Sequence, residues 1–135
     1  MNIALLLFVI AFNIFQTSVA KYCWKDLPIT VFILNNLPPN SPPLKLRCQS
    51  KDDDLGYHTL WPHQDFHWTF CQNIFGKTLF FCHLYWGSKQ RACDVFRTKW
   101  VNPPRFEFWW SVTSDGIYSN NYNDNRTYYK TYEWN

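Results

Sequence analysis

The sequence predicts a small all-β domain, an antiparallel β-sandwich of about six to eight short strands stapled by disulfides. Three observations carry that expectation. Aromatic residues make up 21% of the chain and are mixed with β-branched ones, a composition that suits a pleated, half-buried surface. Several short segments alternate apolar and polar side chains with the period of two that a sheet with one wet face requires. Turn residues interrupt these segments at short intervals, and no convincing amphipathic helix competes with them.

The first element is not part of the fold. "MNIALLLFVIAFNIFQTSVA" has an apolar run from Ile3 to Phe12, then small residues at Ser18 and Ala20. This is the pattern of a signal peptide, residues 1–20, cleaved before Lys21. The run is shorter than the roughly 20 residues of a spanning helix, and Asn13 interrupts it. The remaining residues, 21–135, are expected to form one domain that is secreted and does not insert into membranes.

"ITVFILN", Ile29 to Asn35, is apolar and β-branched and reads as a strand buried on both faces. The four prolines of "NLPPNSPP" cannot donate to a ladder, so a loop follows. "LKLRCQ" points Leu44, Leu46 and Cys48 inward and Lys45, Arg47 and Gln49 outward. "FHWTF" points Phe66, Trp68 and Phe70 inward. "TLFFCHLYW", Thr78 to Trp86, is apolar nearly throughout and reads as a central strand. "ACDVFRT", Ala92 to Thr98, and "FEFWWSVT", Phe106 to Thr113, are further strands; Phe106, Phe108, Trp110 and Val112 share a face of the latter. "SDGIY" is a turn with Asp115-Gly116 at its tip. "RTYYKTYEW" alternates weakly and reads as an edge strand.

The formal charge is +3, and the basic residues are scattered without a run; charge gives no reason to expect nucleic acid as a partner. Cys23, Cys48, Cys71, Cys82 and Cys93 all fall after the signal peptide. In an oxidising compartment most should pair, and an odd number leaves one free or joined between chains. Their wide spacings, with no C-x-x-C, disfavour zinc, and no cofactor is expected.

Two stretches invite a catalytic reading. In "CQSKDDDLG" Asp52, Asp53 and Asp54 are consecutive. Adjacent carboxylates on an extended chain point to opposite sides and repel, and calcium needs six to eight oxygens from alternating loop positions. A solvated turn is the expectation, with Gly56 at positive φ and Leu55 returning to the core. In "HTLWP", His58 to Pro62, the string resembles the "HGLWP" signature around a catalytic histidine of secreted acid ribonucleases. A small secreted ribonuclease using His58 is therefore the alternative function. Thr59 replaces the glycine, however, and neither His63, His67 nor His83 sits in that family's second histidine segment. His63 and His67 lack a third metal ligand. Exposed aromatics such as Trp109 and Tyr118, Tyr122, Tyr128, Tyr129 and Tyr132 suit cross-strand packing better than base or sugar stacking. Asn125-Arg126-Thr127 is the only glycosylation sequon in the sequence, placing a candidate glycan on Asn125.

The order of the pieces points to a family. "VFILNNL", "LKLRCQSKDDDLGYHTL", "FHWTFCQNIFGKTLFFCHLYW", "CDVFR", "WWSVTSDGIY" and a terminal "YEW" together closely resemble the plant self-incompatibility stigmatic S-protein and its homologues. The resemblance implies a secreted β-sandwich without enzymatic activity and without cofactors. It implies a role as an extracellular protein ligand in cell–cell signalling, or in pollen recognition and rejection, read by a plant cell-surface receptor protein. The ligand is expected to be a monomer. Specificity is expected on hydrophilic loops: Asp52, Asp53 and Asp54; "NLPPNSPP"; and Ser88, Lys89, Gln90 and Arg91. Cys48 and Cys82 match family positions and are the offered pair, closing a loop of about 34 residues worth roughly 3–4 kcal/mol; Cys48 with Cys93 is the other option. Cys23, Cys71 and Cys93 look private to this chain, and Phe108 stands where the family's C-x-W element has its cysteine.

Overall fold

A computed structural model describes Cys23 and residues 28–72, 77–101, 106–120 and 127–135. The expected signal peptide and the Asn125 sequon lie outside the described residues. Among the described residues nine strands form in order: β1 (Ile29–Asn35), β2 (Leu44–Gln49), β3 (Asp54–Leu60), β4 (Asp65–Phe70), β5 (Leu79–Trp86), β6 (Lys89–Arg97), β7 (Glu107–Thr113), β8 (Gly116–Asn120) and β9 (Tyr128–Tyr132). A 3₁₀ turn, Thr98–Trp100, follows β6. The all-β expectation holds, with more strands than the six to eight expected. The strands divide into a five-stranded sheet, β4-β1-β7-β8-β9, and a four-stranded sheet, β3-β2-β5-β6. Every pairing is antiparallel except β1 with β7, which run parallel.

Alternation hides β3 because a bulge disrupts it. Arg47 opposes Tyr57 while Gln49 opposes Asp54, so Leu55 and Gly56 together face the single residue Cys48. Gly56 takes φ +79° there, the conformation glycine adopts without strain.

The core lies between the sheets. Ile29, Val31 and Ile33 of β1 and Phe108, Trp110 and Val112 of β7 meet Leu46 of β2, Leu84 of β5 and Val95 and Phe96 of β6. Phe96 joins the layers: its ring sits 4.9 Å edge-on to Phe70 and 5.1 Å edge-on to Phe108. Full burial of each such ring contributes roughly 1.5–3 kcal/mol. Phe108 is 1% exposed, so the aromatic ring at this position is a packing element of the core.

β5 is interior to its sheet, as expected, but is fully covered on one face only; β1, expected to be buried on both faces, is covered on one and part of the other. In β5, Phe80, Cys82 and Leu84 are buried, but Leu79 and Phe81 are 39% and 37% exposed. A strand can be interior to its sheet by hydrogen bonding while no layer lies over its outer face. On β1, Phe32 is half-buried because Trp109 stacks on it at 3.8 Å and His67 lies 5.2 Å away.

The β6 edge is capped by side chains from the other sheet. A second bulge, where Phe80 opposes Phe96 but Phe81 opposes Asp94, gives β6 an extra residue. This lets both Val95 and Phe96 turn inward and frees nearby carbonyls from the ladder. The Trp110 indole donates to Val95 O at 3.0 Å, and the Tyr132 hydroxyl donates to Asp94 O at 2.9 Å. At the start of β6, Asn135 N donates to Gln90 O at 2.9 Å. Such capping blocks the strand addition that open edges invite.

The β7–β8 turn spans Ser114 and Asp115, and Gly116 already begins β8. At Gly116 a Cβ would lie 2.8 Å from Tyr132 O and 2.9 Å from Lys130 Cε. The backbone of β9 therefore approaches too closely for any side chain. Gly116→Ala is expected to cost about 1–3 kcal/mol through overpacking, read as a lowered denaturant midpoint, with amide exchange rising first along β9.

Candidate recognition surface

Strand directions decide which loops can act together. β2 runs from Leu44 to Gln49, β3 returns from Asp54 to Leu60, and β5 runs back beside β2, Gln49 opposing Phe81 and Lys45 opposing Tyr85. The aspartate turn therefore lies at one end of the sandwich. The proline loop, the Trp61–Gln64 turn, the Gly87–Ser88 turn and the Ser114–Asp115 turn lie at the other. The expected recognition segments are split between two poles.

At the aspartate pole only two of the three carboxylates belong to the turn. Ser50 N donates to Asp53 O at 2.7 Å, and Asp53 N donates to Ser50 Oγ at 3.1 Å. This fixes the backbone and leaves Asp52 and Asp53 exposed. They line, with Ser50, Phe70, Cys71, Thr78 and Phe80, a depression of about 150 Å³. Asp54 is different: it is the first residue of β3, not a loop residue. It is ion-paired with Arg47 and accepts Gly56 N at 2.9 Å. The Arg47 guanidinium also lies 5.0 Å over the Tyr57 ring.

These hydrogen bonds, that from Arg47 first and that from Gly56 second, hold the Asp54 carboxyl down to about 2. Its folded value lies below the unfolded value of 3.8. The pair's contribution is thus complete above about pH 4 and is lost as pH falls through about 2. A carboxyl NMR titration is expected to place Asp54 near pH 2 in the native protein. In Arg47→Gln its midpoint should rise toward the ordinary carboxylate range.

At the proline pole, Asn35 is completely buried and organises three chain segments. Its Nδ2 donates to Leu60 O at 2.9 Å, and its Oδ1 accepts Leu37 N at 2.8 Å. Its backbone N donates to Gln64 O and its carbonyl accepts His63 N. His63 holds φ +70°, the one positive value among described non-glycine residues. Trp61, at the same turn, is 55% exposed. The expected loop from Ser88 to Arg91 is shorter than that: only Gly87 and Ser88 turn, and Lys89, Gln90 and Arg91 belong to β6. A tight two-residue hairpin turn lets the strand resume at once. Arg91 lies 5.1 Å over the Tyr132 ring and Lys89 5.5 Å over Trp86, so both stems pack along aromatic surface.

Sequence reasoning missed Asn35, Trp61 and His63. The one available signal was a polar residue closing the apolar run "ITVFILN"; nothing in the string announces the exposure of Trp61 or the backbone of His63.

The histidines do not assemble a proton-transfer pair. His58 Nε2 is 2.7 Å from Leu55 O, and its ring stacks on Phe66 at 4.0 Å. His67 Nδ1 meets Asp65 at 2.7 Å, and His83 Nε2 meets Gln90 Oε1 at 2.9 Å. Among the described residues no three His, Cys, Asp or Glu side chains are placed to hold a metal ion.

The cysteines form two bridges. Cys48 and Cys82 face each other in register on β2 and β5, with Cα atoms 4.0 Å apart. Cys23 joins Cys71, tying the chain before β1 to the end of β4. Cys93 is the free one; the Cys48–Cys93 option is not adopted. Its thiol is buried, and burial pushes it up to about 12.

This is a disulfide-braced, two-sheet scaffold that holds loops at both ends, with no catalytic set assembled among the described residues. Comparison with known proteins places it. The family model for the plant self-incompatibility protein S1 matches residues 30–134, and the chain belongs to that family. S-protein homolog 29 of Arabidopsis thaliana is 33% identical over 105 residues, 78% of this chain and 76% of that protein. S-protein homolog 5 is 34% identical over 87 residues, 64% and 67% of the two chains. S-protein homolog 18 is 42% identical over 77 residues, 57% of each. A solved self-incompatibility protein homologue superposes with a TM-score of 0.62 at 20% identity, covering 79% of this chain and 94% of that one. That structure is described as one of a widespread family of small, highly stable, secreted proteins from plants.

Proposed function

We propose that this chain is a secreted, monomeric protein ligand without catalytic activity, acting in plant cell–cell signalling through a cell-surface receptor protein. The reading rests on family membership together with one structural observation. Asp52 and Asp53 are exposed on a turn whose backbone is fixed, and no side-chain hydrogen bond or ion pair occupies them among the described residues. Loops that a rigid scaffold fixes at their ends carry recognition because their sequence is free to vary. Carboxylates with no partner among the described residues are available to one outside the chain, and complementary charge favours selective encounter.

The test is binding of fluorescently labelled protein to plant cells expressing candidate receptors, including pollen tubes. Binding should saturate and be displaced by unlabelled protein. Asp52→Asn with Asp53→Asn should weaken it at least about tenfold, or 1.4 kcal/mol, while circular dichroism stays unchanged. Binding that fails to saturate, or that ignores the double substitution, counts against the proposal. The same preparation should leave RNA intact; cleavage abolished by His58→Ala would establish the ribonuclease instead.

A further inference from the structure

Cys93 is one of three cysteines in a single row. Cys48 on β2 opposes Cys82 on β5, and Cys82 in turn opposes Cys93 on β6. All three are buried between the sheets. The 4.0 Å Cα separation of Cys48 and Cys82 marks a pair without mutual backbone hydrogen bonds. The amide and carbonyl of Cys82 then point to β6, making Cys82 and Cys93 the hydrogen-bonded type of pair, with Cα atoms about 5.5 Å apart. That spacing lies within the range disulfides span, about 4.4–6.8 Å. Either neighbour can therefore bond to Cys82 with the strands where they are.

We propose that Cys93 is a resident exchange partner for the Cys48–Cys82 disulfide, giving the protein a second bridged form in which Cys82 joins Cys93. Cys93 loses its proton, and the thiolate attacks Cys82 Sγ from the side opposite Cys48. The Sγ93–Sγ82 bond forms as Sγ82–Sγ48 breaks; the electron pair leaves on Cys48 Sγ, which takes up a proton. Nothing is oxidised or reduced overall, so no external reagent enters. The linked separation shrinks from 34 residues to about 11. The longer loop constrains the unfolded chain more, so the first form resists unfolding about fivefold more than the second, other terms being equal. Exchange uncouples β2, and with it the β2–β3 hairpin carrying Asp52 and Asp53, from β5 at the level of the bridge. Burial keeps Cys93 protonated in the closed sandwich, so exchange proceeds when the sheet opens locally.

The test incubates the intact protein at pH 9 in guanidinium below the unfolding transition, quenches with acid, alkylates and maps disulfides by mass spectrometry. A Cys82–Cys93 peptide should accumulate, together with alkylated Cys48, at a rate independent of protein concentration; Cys93→Ser should show neither. Alkylation of Cys93 with Cys48–Cys82 intact in every molecule would overturn the proposal. So would bridges that form only in proportion to protein concentration. In Cys48→Ser, oxidative folding should yield a Cys82–Cys93 bridge, and a folded variant holding two free thiols there is an equally adverse result.

Discussion

Replacing Asn35 with alanine is expected to lower the free energy of unfolding by about 2–6 kcal/mol. The side chain is fully buried and makes two hydrogen bonds, to Leu60 O and from Leu37 N. Alanine leaves both backbone groups without partners in a place water does not reach, and each orphaned group costs about 1–3 kcal/mol. For a domain of this size, with a total stability of roughly 5–15 kcal/mol, that is a large fraction. Equilibrium unfolding in guanidinium should show a lower midpoint at unchanged slope. Amide exchange should rise first at Leu37 and in the Trp61–Gln64 turn, because those are the segments Asn35 ties together. An undiminished midpoint would mean that water or loop rearrangement replaces both bonds.

The second large effect is expected from removing the β2–β5 bridge. Cys48→Ala with Cys82→Ala opens a separation of 34 residues, for which the chain-entropy relation gives about 4 kcal/mol. Both positions are completely buried, so the small alanine side chains add a modest packing loss in the same direction. The double substitution is the informative one. Cys48→Ala alone leaves Cys82 beside Cys93, which can re-bridge and mask part of the loss. Thermal and denaturant unfolding of the double variant, compared with Cys93→Ser, separates the contribution of the bridge from that of the unpaired thiol.

The layers of this fold were legible because period-two alternation is a direct record of which face is buried. "LKLRCQ" and "FEFWWSVT" place Leu44, Leu46, Phe108, Trp110 and Val112 inside, as they are. The tail was legible as an edge strand, and β9 is one. What the string concealed was anything set by a partner distant in sequence. β3 escaped notice because the bulge at Leu55 and Gly56 breaks the period. The apolar run of β1 suggested two covered faces, whereas its outer face is shielded only in part, by Trp109 and His67 against Phe32. The parallel pairing of β1 with β7 joins segments more than 70 residues apart, and no local pattern encodes it.

The candidate recognition surface was legible in the same uneven way. Three consecutive aspartates read as one unit, yet Arg47 on the neighbouring strand withdraws Asp54 from it. The turn at Ser88 was found, but its length was overestimated because Lys89, Gln90 and Arg91 are as polar as a loop. Their strand character comes from pairing with Tyr85, Leu84 and Trp86 on β5.

The split of the loops between opposite ends of the sandwich has a consequence for how such a scaffold can diversify. Strands of six to eight residues separate the tips by roughly 20–25 Å at about 3.3 Å per residue. A compact binding module that covers one tip leaves the far one bare. Substitutions at the two tips should then combine without interaction, so that one tip can change in sequence while the other is kept. Engagement of both at once would make the molecule a tether that draws two bodies together.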